Sequence, residues 1–354
     1  MSANSGTTHK AQVQERAGWR RLSGFAATEG QRFILLLIIV LIGAVFTAGQ
    51  PAFLSAQSID NILRVTSMYG IAALGMTLVI LTGGIDLSVG SVIALGGALS
   101  AGLLGTAFGA ANPFHMPYYF SIPAALILTG AIGALNGLAI TVLNIAPFVV
   151  TLGVMTVVRG LTYIYTDYTV ATVPGSPITF SDDFFDWIGT GNIGVLPTQA
   201  VIFIGLAVLI ALMLRYTGFG RSIFAIGGSQ EIARLAGIHT ARVIIGVYTL
   251  AAALAGASGI ILAGKLSSVS PLIGTGYELN VITMVVVGGA SMAGGRGTVT
   301  GTVLGALLIS MIDNGLDLLN VPSFYQYLVK GTILVTAVVV DKWVQRRKAV
   351  PRAA

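Results

Sequence analysis

Long apolar segments recur along this chain, and each is about as long as a lipid bilayer is thick. A helix needs about 20 residues to cross roughly 30 Å of hydrocarbon. Because no water is available there, every backbone N–H and C=O group has to be hydrogen-bonded within the segment, as it is in a helix. We therefore predict ten membrane-spanning helices, at residues 32–49, 68–83, 89–108, 119–143, 147–166, 199–215, 243–264, 277–293, 297–315 and 323–341.

The composition agrees with this interpretation. Charged residues make up 9% of the chain, whereas about 25% is usual in a soluble domain. Cysteine is absent, which excludes disulfides and thiolate chemistry, and three histidines without clustered acids indicate no metal site. The sequence thus predicts an all-α polytopic membrane protein. We expect the first span to stay uncleaved rather than act as a signal peptide, because 32 mostly polar residues precede it.

Basic residues predict the orientation of the spans, because positively charged loops stay in the cytoplasm. Fifteen of the 19 lysine and arginine residues lie before residue 33, between 215 and 242, at Arg296 or after residue 341. With ten spans and both termini in the cytoplasm, all of them fall on one side. This divides the chain into a cytoplasmic arm at 1–31, a transmembrane domain at 32–341 and a basic cytoplasmic tail at 342–354.

Two loops are longer than a helical hairpin needs, and the one at 167–198 is placed on the outer side. It carries several acids and a cluster of aromatic residues, Phe184, Phe185 and Trp187. Aromatic side chains suit the headgroup region of the bilayer. They equally suit the docking of a partner, and both interpretations stay open.

The second long loop, at 216–242, is cytoplasmic in this arrangement and contains a short predicted helix. Ser229 is a suitable N-cap for a helix over 230–235, which Gly237 ends. Turns are expected at the two glycine pairs before it, Gly218 with Gly220 and Gly227 with Gly228. A helix of this length is unstable alone, so it either lies on the membrane domain or docks on a partner.

Asp86 is the only formal charge between Val65 and Val158. A lone acid in so apolar a region is costly unless it has a purpose. Glycines on both sides allow the backbone to leave the helical conformation, and the acid is well placed to cap the helix that follows. We predict a broken helix or re-entrant turn formed by Gly83, Gly84, Asp86, Ser88 and Gly90. A direct role of Asp86 in gating, and a contact with a partner, stay open as alternatives.

Glycines near the C-terminus predict close helix packing. Gly297, Gly301 and Gly305 recur every four residues, which forms a ridge that lets a neighbouring helix approach. The Gly295-Arg296-Gly297 sequence does not indicate a dinucleotide site, because no strand precedes it. The nucleotide-binding sequence Gly-x-x-x-x-Gly-Lys-[Ser/Thr] does not occur in the chain.

The polar residues inside the predicted spans are mostly neutral, which suits an uncharged cargo. Candidates for lining a transport pathway are Asn136, Phe148 and Thr151. The two polar residues among them suit hydrogen bonds between helices equally well, so their role stays open.

These segments together resemble the ribose-type permeases of ABC importers for monosaccharides, in the superfamily of branched-chain amino acid and ribose permeases. The sequence at 83–91 looks like a hallmark of that family, and the loop at 220–237 resembles its coupling segment. Pro147-Phe148 and Thr151-Leu152-Gly153 resemble its fifth span, and glycines from 288 to 305 its eighth and ninth. The resemblance covers about residues 30–345. Ser229 departs from it, since asparagine is usual there, as does Ile232, where alanine is usual.

The resemblance implies an ABC importer permease fold with a short cytoplasmic coupling helix. It implies a transport subunit rather than an enzyme, with ATP and magnesium bound by the partner ATPase and no cofactor in this chain. The implied partners are a second permease subunit, ABC ATPase subunits, a periplasmic sugar-binding protein and the lipid of the bacterial inner membrane, and no nucleic acid. Coupling to the ATPase would fall on Gly227, Gly228, Ser229, Gln230, Glu231, Arg234, Leu235 and Gly237.

The expected function is therefore import of a monosaccharide, ribose or a similar pentose or hexose, driven by ATP hydrolysis in the partner. Two alternatives are weighed against it. A permease for branched-chain amino acids has a similar span count and a similar loop. An ion-coupled secondary transporter often carries functional carboxylates inside the bilayer, and here Asp86 is nearly alone.

Overall fold

The computed structural model describes Gly30 and residues 32–104, 116–170 and 175–349. The helices there are α1 (Arg32–Gly49), α2 (Ala56–Leu81), α3 (Val89–Leu104), α4 (Tyr118–Val142), α5 (Pro147–Val170), α6 (Asp183–Thr190), α7 (Thr198–Tyr216), α8 (Gly218–Gly228), α9 (Gln230–Leu235), α10 (Thr240–Leu266), α11 (Tyr277–Val287), α12 (Val299–Leu318) and α13 (Ser323–Ala349), with a 3-10 turn at Pro51–Leu54. The strands are β1 (Ile178–Thr179), β2 (Asn192–Ile193), β3 (Leu196–Pro197) and β4 (Ser268–Val269). Most of the predicted arm at 1–31, the end of the predicted third span and residues 350–354 of the predicted tail lie outside the described residues.

Eight helices in the described ranges are long and apolar enough to cross a membrane: α1, α2, α4, α5, α7, α10, α12 and α13. The other two predicted spans are shorter, with 16 residues in α3 and 11 in α11. The span predicted at 277–293 is thus too long, because the chain leaves the helix at Gly288. Eleven residues cover about 16 Å, about half of the hydrocarbon. The molecule is an all-α polytopic membrane protein in which two helices begin after a break.

The helix α2 begins earlier than the predicted span at 68–83. Ser55 caps it by accepting a hydrogen bond from the N–H of Ser58 at 3.2 Å. The added turns contain Arg64, whose guanidinium donates to Asp60 and Asn192, both at 2.6 Å. Protein groups therefore satisfy this charge, so the helix can extend past it.

The centre of the bundle is α10, which packs against α2, α3 and α4. Small residues allow the backbones to come close. A Cβ atom added to Gly96 of α3 would lie 2.6 Å from the Cα atom of Gly256 in α10. By contrast, α1, α5 and α13 are the least buried of the long helices. These three helices therefore lie at the periphery of the bundle.

A small folded cap covers the C-terminal end of α10. It contains α6 and two short antiparallel pairs, β1 with β4 and β2 with β3. Asp182 caps α6, and Phe185 is fully buried against Phe180 at 5.1 Å between ring centroids. Trp187 is 44% exposed. The aromatic residues of the predicted outer loop are thus divided between the interior and the surface.

The predicted turns at Gly218 with Gly220 and at Gly227 with Gly228 are wrong. Residues Gly218–Gly228 form the helix α8, which Thr217 caps by accepting a hydrogen bond from the N–H of Gly220 at 3.0 Å. Ile223 and Ile226 of this helix are buried. Burial of these side chains outweighs the low helix propensity of the glycines.

Two of the three predicted ridge glycines pack as expected. An added Cβ atom on Gly301 would overlap the carbonyl oxygen of Gly288, and one on Gly305 would overlap that of Met284. The helix α12 therefore lies directly on the backbone of α11. Gly297 is not part of this ridge, because it precedes α12 and has a φ angle of +156°.

We expect Gly305→Ala to destabilise the fold by about 1–3 kcal/mol, because the added methyl group overlaps the backbone of α11. Thermal unfolding of the purified protein in detergent measures this. Gly205→Ala in α7 is the matched control, since no heavy atom lies within 4 Å of its added Cβ atom. Equal melting temperatures for the two variants would contradict the packing argument.

Candidate functional site

The chain leaves the helical conformation between α2 and α3. Gly83 has a φ angle of +81°, and residues 84–86 have no regular secondary structure before α3 begins at Val89. Asp86 lies in this segment and is only 2% exposed. The sequence-predicted residues Gly83, Gly84, Asp86 and Ser88 thus lie in one break, and Gly90 lies in the first turn of the helix that follows it.

The Asp86 carboxylate organises the turn that leads into α3. It accepts hydrogen bonds from the N–H of Ser88 at 2.8 Å and from the hydroxyl of Ser88 at 2.6 Å. The carbonyl of Ser88 in turn accepts the N–H of Val92, the first bond of the helix. The Asp86 carboxylate is therefore bonded to Ser88, just before α3, rather than to a residue inside the helix.

Three neighbouring helices hold the break with one side chain each. From α4, Asn136 donates to the Ser88 hydroxyl at 3.1 Å. From α5, the Thr151 hydroxyl accepts the N–H of Leu87 at 3.1 Å, and from α10 the Tyr248 hydroxyl donates to the carbonyl of Ile85 at 3.4 Å. Backbone groups that a helix would satisfy internally are satisfied here by the surrounding protein.

These contacts place the three sequence-predicted pathway residues. Asn136 and Thr151 are fully buried and belong to the support of the break. Phe148 is 52% exposed on the outer surface of α5, so it is not brought together with them. Of the two interpretations that the sequence left open, the contacts of Asn136 and Thr151 favour hydrogen bonding between segments.

The helix α9 presents two different faces. Ser229 caps it by accepting the N–H of Ile232 at 3.3 Å, and Gly237, with a φ angle of +83°, follows its end, so the predicted cap and stop are confirmed. Ala233 is buried against the membrane domain, whereas Ile232 and Leu235 are 68% and 79% exposed. Gln230, Glu231 and Arg234 also lie on this segment. The open apolar face favours the docking of a partner over simple packing on the domain.

The end of α8 contacts the backbone of two other segments. A Cβ atom added to Gly227 would overlap the carbonyl oxygen of Leu81 and the amide nitrogen of Gly295. That amide of Gly295 donates to the same carbonyl at 2.9 Å. An added Cβ atom on Gly294 would lie 2.8 Å from the Gly227 oxygen and 3.0 Å from the Gly83 nitrogen. We call this meeting of Leu81, Gly83, Gly227, Gly294 and Gly295 the glycine junction.

The glycine junction brings the predicted coupling segment against two segments of the membrane domain. It touches α2 just before the break and the turn between α11 and α12. That turn is also tied to α13, because the Ser291 hydroxyl donates to the Asp341 carboxylate at 3.3 Å. Gly228, beside Gly227 in the chain, has open space around its Cα atom. Of the two glycines, only Gly227 has no room for a side chain.

An internal repeat is a signal that reasoning from single motifs misses. Residues 84–102 recur 192 positions later as residues 276–294, with eight of 19 residues identical. Asp86 aligns with Glu278, and Gly96-Gly97-Ala98 aligns with Gly288-Gly289-Ala290. Both copies contain a short helix that follows a break, α3 and α11. Paired interruptions of this kind mark binding sites in many transporters, so the repeat draws attention to the loop before α11.

Comparison with known proteins identifies similar chains over almost the whole length. Residues 58–338 match the profile of the family described as branched-chain amino acid transport system / permease component. The ribose import permease protein of Escherichia coli (strain K12) is 43% identical over 312 residues, which cover 87% of this chain and 92% of that protein. No solved structure gives a significant match.

Two further relatives are also similar over most of this chain. The ribose import permease protein of Bacillus subtilis (strain 168) is 41% identical over 312 residues, 88% of this chain and 91% of that protein. The galactose/methyl galactoside import permease protein of Escherichia coli (strain K12) is 34% identical over 331 residues, 90% of this chain and 96% of that protein.

We expect Thr151→Val to lower the free energy of unfolding by about 1–3 kcal/mol, because it leaves the buried N–H of Leu87 without an acceptor. Thr141→Val on α4 is the control, since the Thr141 hydroxyl donates to the carbonyl of Gly137 in its own helix at 2.8 Å. Denaturation of both purified variants measures the difference. A Thr151 variant as stable as the control would show that the hydrogen bond to the break is dispensable.

Proposed function

This chain belongs to the permease family of branched-chain amino acid transport systems, in which it is a sugar importer's permease of the ribose type, and from this premise we propose that it carries a monosaccharide into the cell. The cargo class is ribose or a similar pentose or hexose. The protein is a multi-pass protein of the bacterial inner membrane. The similarity to ribose import permeases over most of both chains carries this proposal.

The buried polar groups agree with a neutral cargo. Asp86 lies in the interior of the bundle, and its carboxylate accepts two hydrogen bonds from Ser88. The ion pair of Lys330 with Asp313, at 3.0 Å, is likewise closed. An anionic substrate needs a free basic group on its path, whereas a sugar needs hydrogen-bonding partners, which neutral groups and a carboxylate both supply.

Energy comes from a partner ATPase that docks on α9. The exposed side chains Ile232 and Leu235 form the centre of the contact, and Glu231 and Arg234 flank it. Two subunits of this kind pair in the membrane, and a periplasmic sugar-binding protein delivers the cargo. With ten spans and both termini inside, α9 lies on the cytoplasmic side where the ATPase is found.

The glycine junction carries the movement of the docked ATPase into the membrane. When α8 and α9 shift, Gly227 pushes directly on the backbone at Leu81 and at Gly295. Because these are contacts between backbone atoms, no flexible side chain can absorb the displacement. The break after α2 and the turn after α11 therefore move together.

The second permease subunit packs on the face that contains α5. Gly153, Thr156 and Gly160 lie on one exposed face of that helix, and both glycines have open space around them. Small residues that recur three or four positions apart on one face let two membrane helices approach closely. The exposed face of α1 instead carries large aliphatic side chains such as Ile34, Leu37 and Leu41, which suit lipid.

Uptake into proteoliposomes tests the function. The permease is reconstituted with its ATPase and candidate binding proteins, and labelled monosaccharides and branched-chain amino acids are offered with and without ATP. We expect ATP-dependent accumulation of one sugar. Accumulation of an amino acid would favour the alternative branch of the family, and uptake driven by an ion gradient without ATP would contradict the proposal.

We expect Gly227→Ala to lower the amount of sugar transported per ATP hydrolysed by about fivefold or more. An overlap of this kind costs about 1–3 kcal/mol, and about 1.4 kcal/mol corresponds to a factor of ten. The measurement is uptake and ATP hydrolysis in the same vesicles.

The matched control is Gly218→Ala, at the start of the same helix, where the added Cβ atom meets only the Arg221 side chain at 3.8 Å. This variant should couple normally. Normal coupling in Gly227→Ala as well, with the complex fully assembled, would show that the junction does not transmit the movement.

A further inference from the structure

One face of the bundle carries charged side chains halfway across the membrane. Arg159 lies twelve residues after Pro147 in α5, which is about 18 Å along the helix. Glu278 lies nine residues before the end of α11 at Val287, which is about 14 Å. With Pro147 and Val287 at the predicted cytoplasmic boundary, both residues are near the middle of a hydrocarbon layer about 30 Å thick.

Arg159 holds the loop that precedes α11. Its guanidinium donates to the carbonyl oxygens of Pro271 at 2.5 Å and of Ile273 at 2.7 Å. Behind this loop, the backbone of Gly274 lies against that of Gly90 in the first turn of α3. The breaks before α3 and before α11, which the internal repeat relates, thus meet at this depth.

The Glu278 carboxylate lies beside the N-terminal ends of two helices. It lies in the first turn of α11 and also against Gly90, near the beginning of α3. The positive ends of both helices stabilise its charge. Within the described part of the chain, no basic side chain forms an ion pair with it at 4.0 Å or less. Its oxygens are therefore available to another hydrogen-bond donor.

The surface around Glu278 is open. Thr275 is exposed, and its hydroxyl donates to the carbonyl of Leu272 at 2.7 Å, which leaves its oxygen free to accept. Tyr327 of α13 is 65% exposed, and its ring lies beside Gly276, 3.7 Å from the position of an added Cβ atom. A charged group at this depth does not face lipid, so this surface faces protein or a water-filled space.

We propose that Thr275, Glu278 and Tyr327 form a contact site for the sugar halfway through the membrane, with Arg159 as the residue that holds the loop in position. The carboxylate accepts charge-assisted hydrogen bonds from sugar hydroxyls, the threonine oxygen accepts another, and the tyrosine ring packs against the C–H groups of the sugar. This inference rests on the proposed function and names the residues that its cargo meets.

Thiol labelling tests whether water reaches the site. The chain has no cysteine, so Thr275→Cys introduces a single thiol. In proteoliposomes with the ATPase, we expect a charged thiol reagent to modify it and to abolish uptake. Leu209→Cys in α7, an exposed position on an apolar face, should stay unmodified. A thiol at 275 that is unreactive both at rest and during ATP turnover would overturn the site.

A second set of variants tests contact with the sugar. Tyr327→Ala should lower the uptake rate, whereas Tyr325→Ala, 52% exposed and two positions away on another face of α13, should not. Glu278→Gln should lower discrimination between the sugar and a deoxy analogue by about tenfold, the effect of one lost charge-assisted hydrogen bond. A merely structural residue would lower uptake of both sugars equally, and that result would overturn the assignment.

The failure of this site and of the proposed function are distinguishable. Wild-type vesicles are measured in the same series, and absence of any sugar uptake there would refute the function itself. Normal wild-type uptake with an unreactive thiol at position 275, or with equal rates for the two tyrosine variants, would refute only the site.

Discussion

The structure depends on how backbone polar groups are satisfied where a helix is interrupted inside an apolar bundle. Lipid offers no hydrogen bond to such groups, so each has to find a partner in the protein. At the break before α3 the partners of backbone groups are the side chains of Thr151 and Tyr248, and Asn136 from a third helix donates to the Ser88 hydroxyl. At the loop before α11 the main partner is Arg159, which holds two carbonyl oxygens. Irregular backbone is thus tolerated only where neighbouring helices have converged to support it.

Much of the fold follows from the sequence, because hydrophobicity and capping act over short distances. The long apolar runs predict the eight long helices, and Ser229 and Gly237 predict the bounds of α9. The helix α8 could not be predicted in the same way, because its glycines indicate turns when they are considered alone. Gly227 is a glycine because backbone from two distant segments lies against it. Such contacts join Gly227 to residues 146 and 68 positions away, Leu81 and Gly295, and leave no local pattern.

In the candidate site, too, some features follow from the local sequence and others depend on residues that are distant in the chain. The composition of residues 83–91 predicts a break, and the structure has one there. The composition of the spans does not tell whether Asn136 and Thr151 line a pathway or support the backbone, since a buried hydroxyl or amide suits both roles. Only the position of their partners decides between them. The repeat of residues 84–102 at 276–294 is different, because it can be read from the sequence once the two halves are compared.

The helix α11 lies between two places where backbone segments are in close contact, the glycine junction and the loop before α11. Its C-terminal end leads into the turn at 291–296, which meets Gly227 in the glycine junction, and its N-terminal end carries Glu278. Residues 280–286 between them are buried, and Met284 and Gly288 lie on the backbone of α12. A helix of 11 residues packed in this way moves as a rod about 16 Å long. In the proposed mechanism, a displacement of α8 and α9 passes through the turn at 291–296 and along this helix to the middle of the membrane. Because α3 contacts the loop before α11 at Gly90, the same mechanism moves both short helices together.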